Sequence, residues 1–195
     1  MSSDYYEPHA RRKLARPLVI AGDLGCGARL IGRTVCARTG LPFVEVDRQI
    51  EHEAGESLDA LAARIGRKRI AERARMVLER VAIQQPWSVA VLEWVWPGAE
   101  VEHLFRRKLQ LVHIRRPANF LLERIEKEVH RAGPWLLGDR PFVFRTEADL
   151  APLQEERARL LCRAALLLEA GDRHAHLVSK LIVDSLDSIF DTEGF

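Results

Sequence analysis

The chain has 195 residues, of which 47% are hydrophobic and 30% charged, and a net charge of +2. That length suits one domain with a full core, and the composition is ordinary for a globular protein. The small charge gives no whole-molecule case for a nucleic-acid or membrane partner, and no apolar run reaches the roughly 20 residues a membrane span needs.

The N-terminal stretch MSSDYYEPHARRKLARP carries charges where a secretory signal needs an apolar run. It is expected to be a flexible arm over residues 1–16, ahead of a single domain over 17–190 in the cytoplasm. Cys26, Cys36 and Cys162 are an odd, widely spaced set without a C-x-x-C motif, which suits a reducing compartment.

Strands are predicted at PLVIA (17–21), PFVEV (42–46), SVAVLEW (88–94), LQLVHI (109–114) and ALLLEA (165–170). Between them, 28–39, 48–84, 99–108 and 118–130 have helical periodicity, and a helix over 175–190 follows the last strand. Strands alternating with helices imply an α/β fold with a five-stranded parallel sheet and helices on both faces. The ligand crevice should then open at the carboxyl ends of the strands. The stretch 131–149, RAGPWLLGDRPFVFRTEAD, mixes Gly, Pro and aromatics without a period, as a flap over a site would.

The first strand runs into AGDLGCGARL (21–30). The spacing of Gly22 and Gly27, with Gly25 between, between a strand and a helix, is that of a phosphate-cradling G-x-x-x-x-G-K-[ST] loop. Its backbone N–H groups and helix dipole would point at an anion. The Lys position, however, is Ala28 and the Ser/Thr position is Arg29.

Downstream, IGRTVCARTGLPFVEVDRQIEHEAGESL (31–58), IRRPANFLLERI (114–125) and LQEERARLL (153–161) resemble the shikimate kinases, over residues 17 to about 185. The resemblance implies a P-loop NTPase fold with a lid and a helical substrate-binding segment. It implies ATP and Mg²⁺ as cofactors and shikimate as the default substrate. The family's magnesium-linked carboxylate matches Glu45, and its shikimate-hydroxyl carboxylate matches Asp47. The substrate-carboxylate Arg matches Ala71, a Gly-Gly-Gly run matches Glu93-Trp94-Val95, and a second substrate Arg matches Arg157. The nucleotide-side arginines match Arg124, Arg131 in the lid, and Arg173.

These exchanges bear on chemistry. Phosphoryl transfer relies on cations that neutralise and align the phosphates, and losing one such contact costs about 3–4 kcal/mol, roughly 10²–10³ in rate. Ala28 removes a charge, and Arg29 replaces a metal-binding hydroxyl with a guanidinium that repels a cation. Arg29 has two open readings: a metal surrogate that binds an anion directly, or an internal ion pair with Glu45. Asp23 in the loop disfavours phosphates. Glu93 and Asp47 are catalytic candidates, Glu93 as a general base or metal carboxylate. Trp94 and Trp96, two residues apart, can line one wall. Cys26 sits beside a helix N-terminus, where a thiol pKa can fall, but a small residue tolerated in a tight loop is the favoured explanation. His113 reads as a satisfied core histidine, and HAH at 174–176 as surface residues.

The expected function is a shikimate-kinase-like protein lacking ordinary kinase activity. It would bind a nucleotide-like or anionic small ligand (ATP or ADP among them, Mg²⁺ doubtful) or a partner protein, as a sensor or regulatory module. The alternatives are a divergent kinase acting on shikimate or a related hydroxylated compound, and a structural partner with an empty crevice.

Overall fold

The computed structural model describes residues 14–85, 87–132 and 146–189, except the side chains of 99, 128–132 and 187–189. Five strands, β1 (Leu18–Gly22), β2 (Phe43–Glu45), β3 (Val89–Val91), β4 (Gln110–Arg115) and β5 (Leu166–Glu169), form one sheet in the order β2-β3-β1-β4-β5. Every pairing is parallel, as the alternation of strands and helices required.

The strands alternate between the two faces of the sheet. Leu18, Ile20, Val89, Val91, Val112 and Ile114 face one core, shared with α1 (Ala28–Thr39), α6 (Ala118–Ala132) and α8 (Ala175–Ile189). Val19, Ala21, Ala90 and Leu111 face the other, with α2 (Val46–Ala54), α3 (Leu58–Ile65), α4 (Arg67–Gln84) and α5 (Glu102–Arg107). Each fully buried Leu, Ile or Val contributes about 1.5–3 kcal/mol, so the central strands are held by both layers. Gly32 lets α1 lie close on the sheet, since a Cβ there would be 2.4 Å from Val91 Cγ1.

Several boundaries differ from the sequence expectation. The helix expected over 48–84 is three helices, interrupted at Gly55 and Gly66, with the Ser57 hydroxyl accepting from the Ala60 N–H at 3.3 Å to start α3. The helix over 99–108 begins as a 3-10 turn, Ala99–Val101. The third strand stops at Val91 rather than residue 94. The arm expected over 1–16 lies outside the described residues as far as residue 13, but Leu14 is already buried in the core. The 131–149 flap also lies largely outside them; its ends are helical, in α6 and in α7 (Glu147–Leu161). No helix among the described residues is long and apolar enough to cross a membrane.

Candidate functional site

The glycine loop joins β1 to α1 at the carboxyl edge of the sheet. Gly22 is required by a close approach, for a Cβ there would lie 2.2 Å from the Ile114 carbonyl. Gly27 caps α1 with φ 85°, a left-handed conformation, and has no side chain to satisfy the first-turn N–H groups. A distant residue supplies an acceptor: the Arg29 N–H donates to Glu93 Oε2 at 3.0 Å. Glu93 is only 4% exposed. Its carboxylate thus sits at the positive end of the helix dipole, where the sequence reading placed a phosphate.

The Arg29 side chain reaches the neighbouring strand end, its Nε 2.9 Å from Glu45 Oε1. Of the two readings of Arg29, the structure contains the internal pair. Arg33 adds a second contact at 3.1 Å and Arg48 a third at 3.9 Å, although Arg48 also pairs with Glu51 at 3.0 Å. These guanidiniums line an open cleft of about 1160 Å³ beside β2 and α2. Ala28, at the lysine position, is fully buried.

The residues matched to the family's substrate side converge on backbone rather than on open space. Asp47, in the first turn of α2, accepts from the Trp94 and Val95 N–H groups, both at 3.1 Å. Burial pushes its carboxyl up to about 6, against the lowering effect of those two hydrogen bonds. Arg157 of α7 is 3% exposed. It donates to the carbonyls of Gly22 at 2.8 Å, Glu93 at 2.9 Å and Trp94 at 3.4 Å. Its guanidinium also lies 4.8 Å over the Trp96 ring. Ala71, Trp94, Trp96 and Arg157 all border one cavity of only about 10 Å³, barely the roughly 10–15 Å³ that one water needs. The two tryptophans do share a wall, but from an irregular segment rather than a strand.

Of the arginines matched to the family's nucleotide side, Arg124 lies over the loop: a Cβ on Gly27 would be 3.7 Å from Arg124 Nη1. Gly25 sits beneath the same helix, its virtual Cβ 3.2 Å from the Leu121 carbonyl. Arg173 is exposed and donates to the Glu169 carbonyl at 2.8 Å. The side chain of Arg131 lies outside the described residues. The sequence reading missed Arg116, which is buried and donates to the carbonyls of Cys26 at 3.4 Å, Gly171 at 2.7 Å and Arg173 at 2.7 Å. It clasps the glycine loop to the turn after β5, stacked 4.3 Å from the Phe120 ring. The one hint in the sequence is an arginine directly before a proline at the end of a buried strand.

Lesser residues fall into place, and the reading of His113 is overturned. Cys26 is no activated thiol: burial first, then the nearby Glu93 charge, push it up to about 12. His113 is not a satisfied core histidine, since its buried Nε2 has no hydrogen-bond partner among the described residues. It lines a separate cleft of about 610 Å³ with Asp23, Arg115 and Gln154. Asp23 therefore borders that cleft, and burial raises its carboxyl pKa. Of the HAH pair, His176 meets Arg38 at 2.7 Å on the surface. No group of three or more His, Cys, Asp or Glu among the described residues is arranged to hold a metal ion.

Comparison with known proteins places this geometry. A family model described as shikimate kinase matches residues 24–187. The shikimate kinase of Stenotrophomonas maltophilia is 31% identical over 172 residues, covering 84% of this chain and 91% of that protein. The shikimate kinase of Caulobacter vibrioides is 27% identical over 165 residues, covering 85% and 78%. Among solved structures, the shikimate kinase from Acinetobacter baumannii in complex with shikimate superposes with a TM-score of 0.75 at 20% identity, covering 89% and 93%. That from Aquifex aeolicus gives 0.66 at 19% identity, covering 88% and 96%. These likenesses share the P-loop fold of a five-stranded parallel sheet with flanking helices. With the family model matched over most of its length, the chain belongs to the shikimate kinase family.

Proposed function

We propose that this chain is a shikimate-kinase-like protein that does not carry out ordinary Mg-ATP phosphotransfer. It acts as a single-domain cytoplasmic sensor or regulatory module for an anionic, nucleotide-like small ligand such as ATP or ADP, or for a partner protein. What carries this reading is the Arg29–Glu45 contact at 2.9 Å. In the family pattern, the residue at 29 offers a hydroxyl and the one at 45 a carboxylate toward magnesium. Here a permanent cation from the chain is already on that carboxylate, and arginine has no lone pair to give a metal. The donor set does not fit Mg²⁺.

Two further observations support the reading. The crevice bordered by Trp94, Trp96 and Arg157 holds about 10 Å³, far short of the ~300 Å³ and upward of small-molecule pockets. Arg29, Arg33 and Arg48 line an open cleft of about 1160 Å³ together with Glu45, Glu51 and Glu56; all three contact Glu45, so an anion there shares guanidiniums that also pair phosphates and carboxylates bidentately. Arg124 over the glycine loop adds a fourth cation on the nucleotide side.

A second reading, a divergent ATP-dependent kinase for shikimate or a related hydroxylated compound, is favoured by membership of the family and by the presence of Asp47, Arg124, Arg131, Arg157 and Arg173. Thermal-shift titration with ATP, ADP and a CoA thioester, with and without Mg²⁺, separates the two when paired with a turnover assay on shikimate. The expected result is stabilisation that does not depend on Mg²⁺, without ADP release. Mg-dependent stabilisation with sustained turnover overturns the proposal in favour of the kinase. No shift with any ligand moves it to the protein-partner form.

A further inference from the structure

We infer that Glu93 is a built-in occupant of the phosphate cradle, and that a polyphosphate entering the cradle must displace it and thereby draw Trp94 off the closed crevice. The inference rests on the reading above that the ligand is anionic, and it adds how access to the site is controlled.

Three observations carry it. The Glu93 carboxylate receives the Arg29 N–H at 3.0 Å, so it uses a donor that a loop-bound phosphate would use. It is 4% exposed and lies against the inside of the loop, where its charge helps raise the Cys26 thiol. Two anions cannot share that position, since like charges brought together in a buried site cost several kcal/mol.

The coupling to the crevice follows from the chain. Strand β3 ends at Val91, so Glu93 and Trp94 lie beyond it, in a segment that side chains grip. Arg157 grips both carbonyls, Glu93 at 2.9 Å and Trp94 at 3.4 Å, and Asp47 holds the Trp94 N–H at 3.1 Å. Trp94 borders the closed cavity. Withdrawing the Glu93 carboxylate from α1 therefore moves the adjacent Trp94 within the same clasp.

The test uses the full chain and inorganic pyrophosphate without Mg²⁺. Glu93→Ala and Glu93→Gln are compared with wild type by calorimetric titration, with circular dichroism as a check on folding. Both variants are expected to bind pyrophosphate at least about tenfold more tightly, because a like charge has been removed. Should the alanine variant fail to fold, the glutamine variant, which keeps the acceptor, decides. Affinities within about twofold of wild type (0.4 kcal/mol) in a folded variant overturn the latch and leave the anionic-ligand reading standing. Tryptophan fluorescence follows the second half: pyrophosphate should change the wild-type signal, and Trp94→Phe should remove most of that change. An undiminished change in Trp94→Phe overturns the coupling. Turnover of Mg-ATP with shikimate by wild type would instead sink the underlying reading.

Discussion

On the proposed reading, a positive charge at position 29 rather than 28 changes what the glycine loop can hold. A lysine at 28 would extend toward the phosphates, whereas Arg29 reaches Glu45 and closes a pair at 2.9 Å. Asp47 is altered by its surroundings rather than by substitution. Its carboxylate type matches the family, but it spends both oxygens on the N–H groups of Trp94 and Val95. With its pKa raised from 3.8 to about 6, the folded protein binds more protons than the unfolded chain between those values. Stability contributed through this group therefore falls as pH rises through that window, with a slope of up to about 1.4 kcal/mol per pH unit. In Asp47→Asn that decline is expected to flatten. Urea midpoints at several pH values between 4 and 7 check it, and an unchanged slope would assign the effect elsewhere. Nothing in the residue type at 47 announced this role, because burial and backbone partners are not local properties.

At the level of elements, the segment following β3 is the least regular part of the site and the most tightly tethered. Arg157 satisfies the carbonyls of Gly22, Glu93 and Trp94 from α7, joining β1, the post-β3 segment and a helix from the far side of the chain. Arg157→Ala leaves those acceptors buried without a donor, at about 1–3 kcal/mol each, so a loss of roughly 3 kcal/mol or more is expected in chemical denaturation. A loss below about 1 kcal/mol would mean that water replaces the guanidinium. The sequence showed strand character through residue 94 because the apolar run of SVAVLEW meets no turn residue before Pro97. The strand stops earlier because Asp47 and Arg157 take the backbone groups that a ladder would use. The breaks at Gly55 and Gly66 were legible in the glycines and in Ser57, but the uninterrupted apolar period of 48–84 outweighed them.

At the scale of the whole molecule, the order β2-β3-β1-β4-β5 places the ends of β1, β2 and β3 side by side, so the loop, Glu45 and Glu93 meet at one edge. On the proposed reading, the barriers to kinase chemistry are several and contiguous: the Arg29–Glu45 pair at the metal position, Glu93 in the cradle and a closed crevice. Restoring the loop alone should not be enough. Ala28→Lys with Arg29→Ser is expected to raise Mg-ATP affinity in a thermal-shift titration without producing shikimate phosphorylation, because Trp94 and Trp96 still border a cavity of about 10 Å³. Measurable turnover by that double variant would show that the crevice is no barrier.

The sequence by itself determined the class of the sheet, the position and glycine spacing of the loop, the family, and the exchanges at 28, 29, 71 and 93–95. All are read from neighbours a few residues apart or from matching motifs. Tertiary structure alone decided that Glu93 caps α1 across 64 positions, that Asp47 holds Val95 across 48, and that Arg157 grips Gly22 across 135. It also placed the Arg29 side chain against Glu45. A charged side chain taken out of water must find the nearest available partner, and which partner is nearest depends on how the strands are ordered in space.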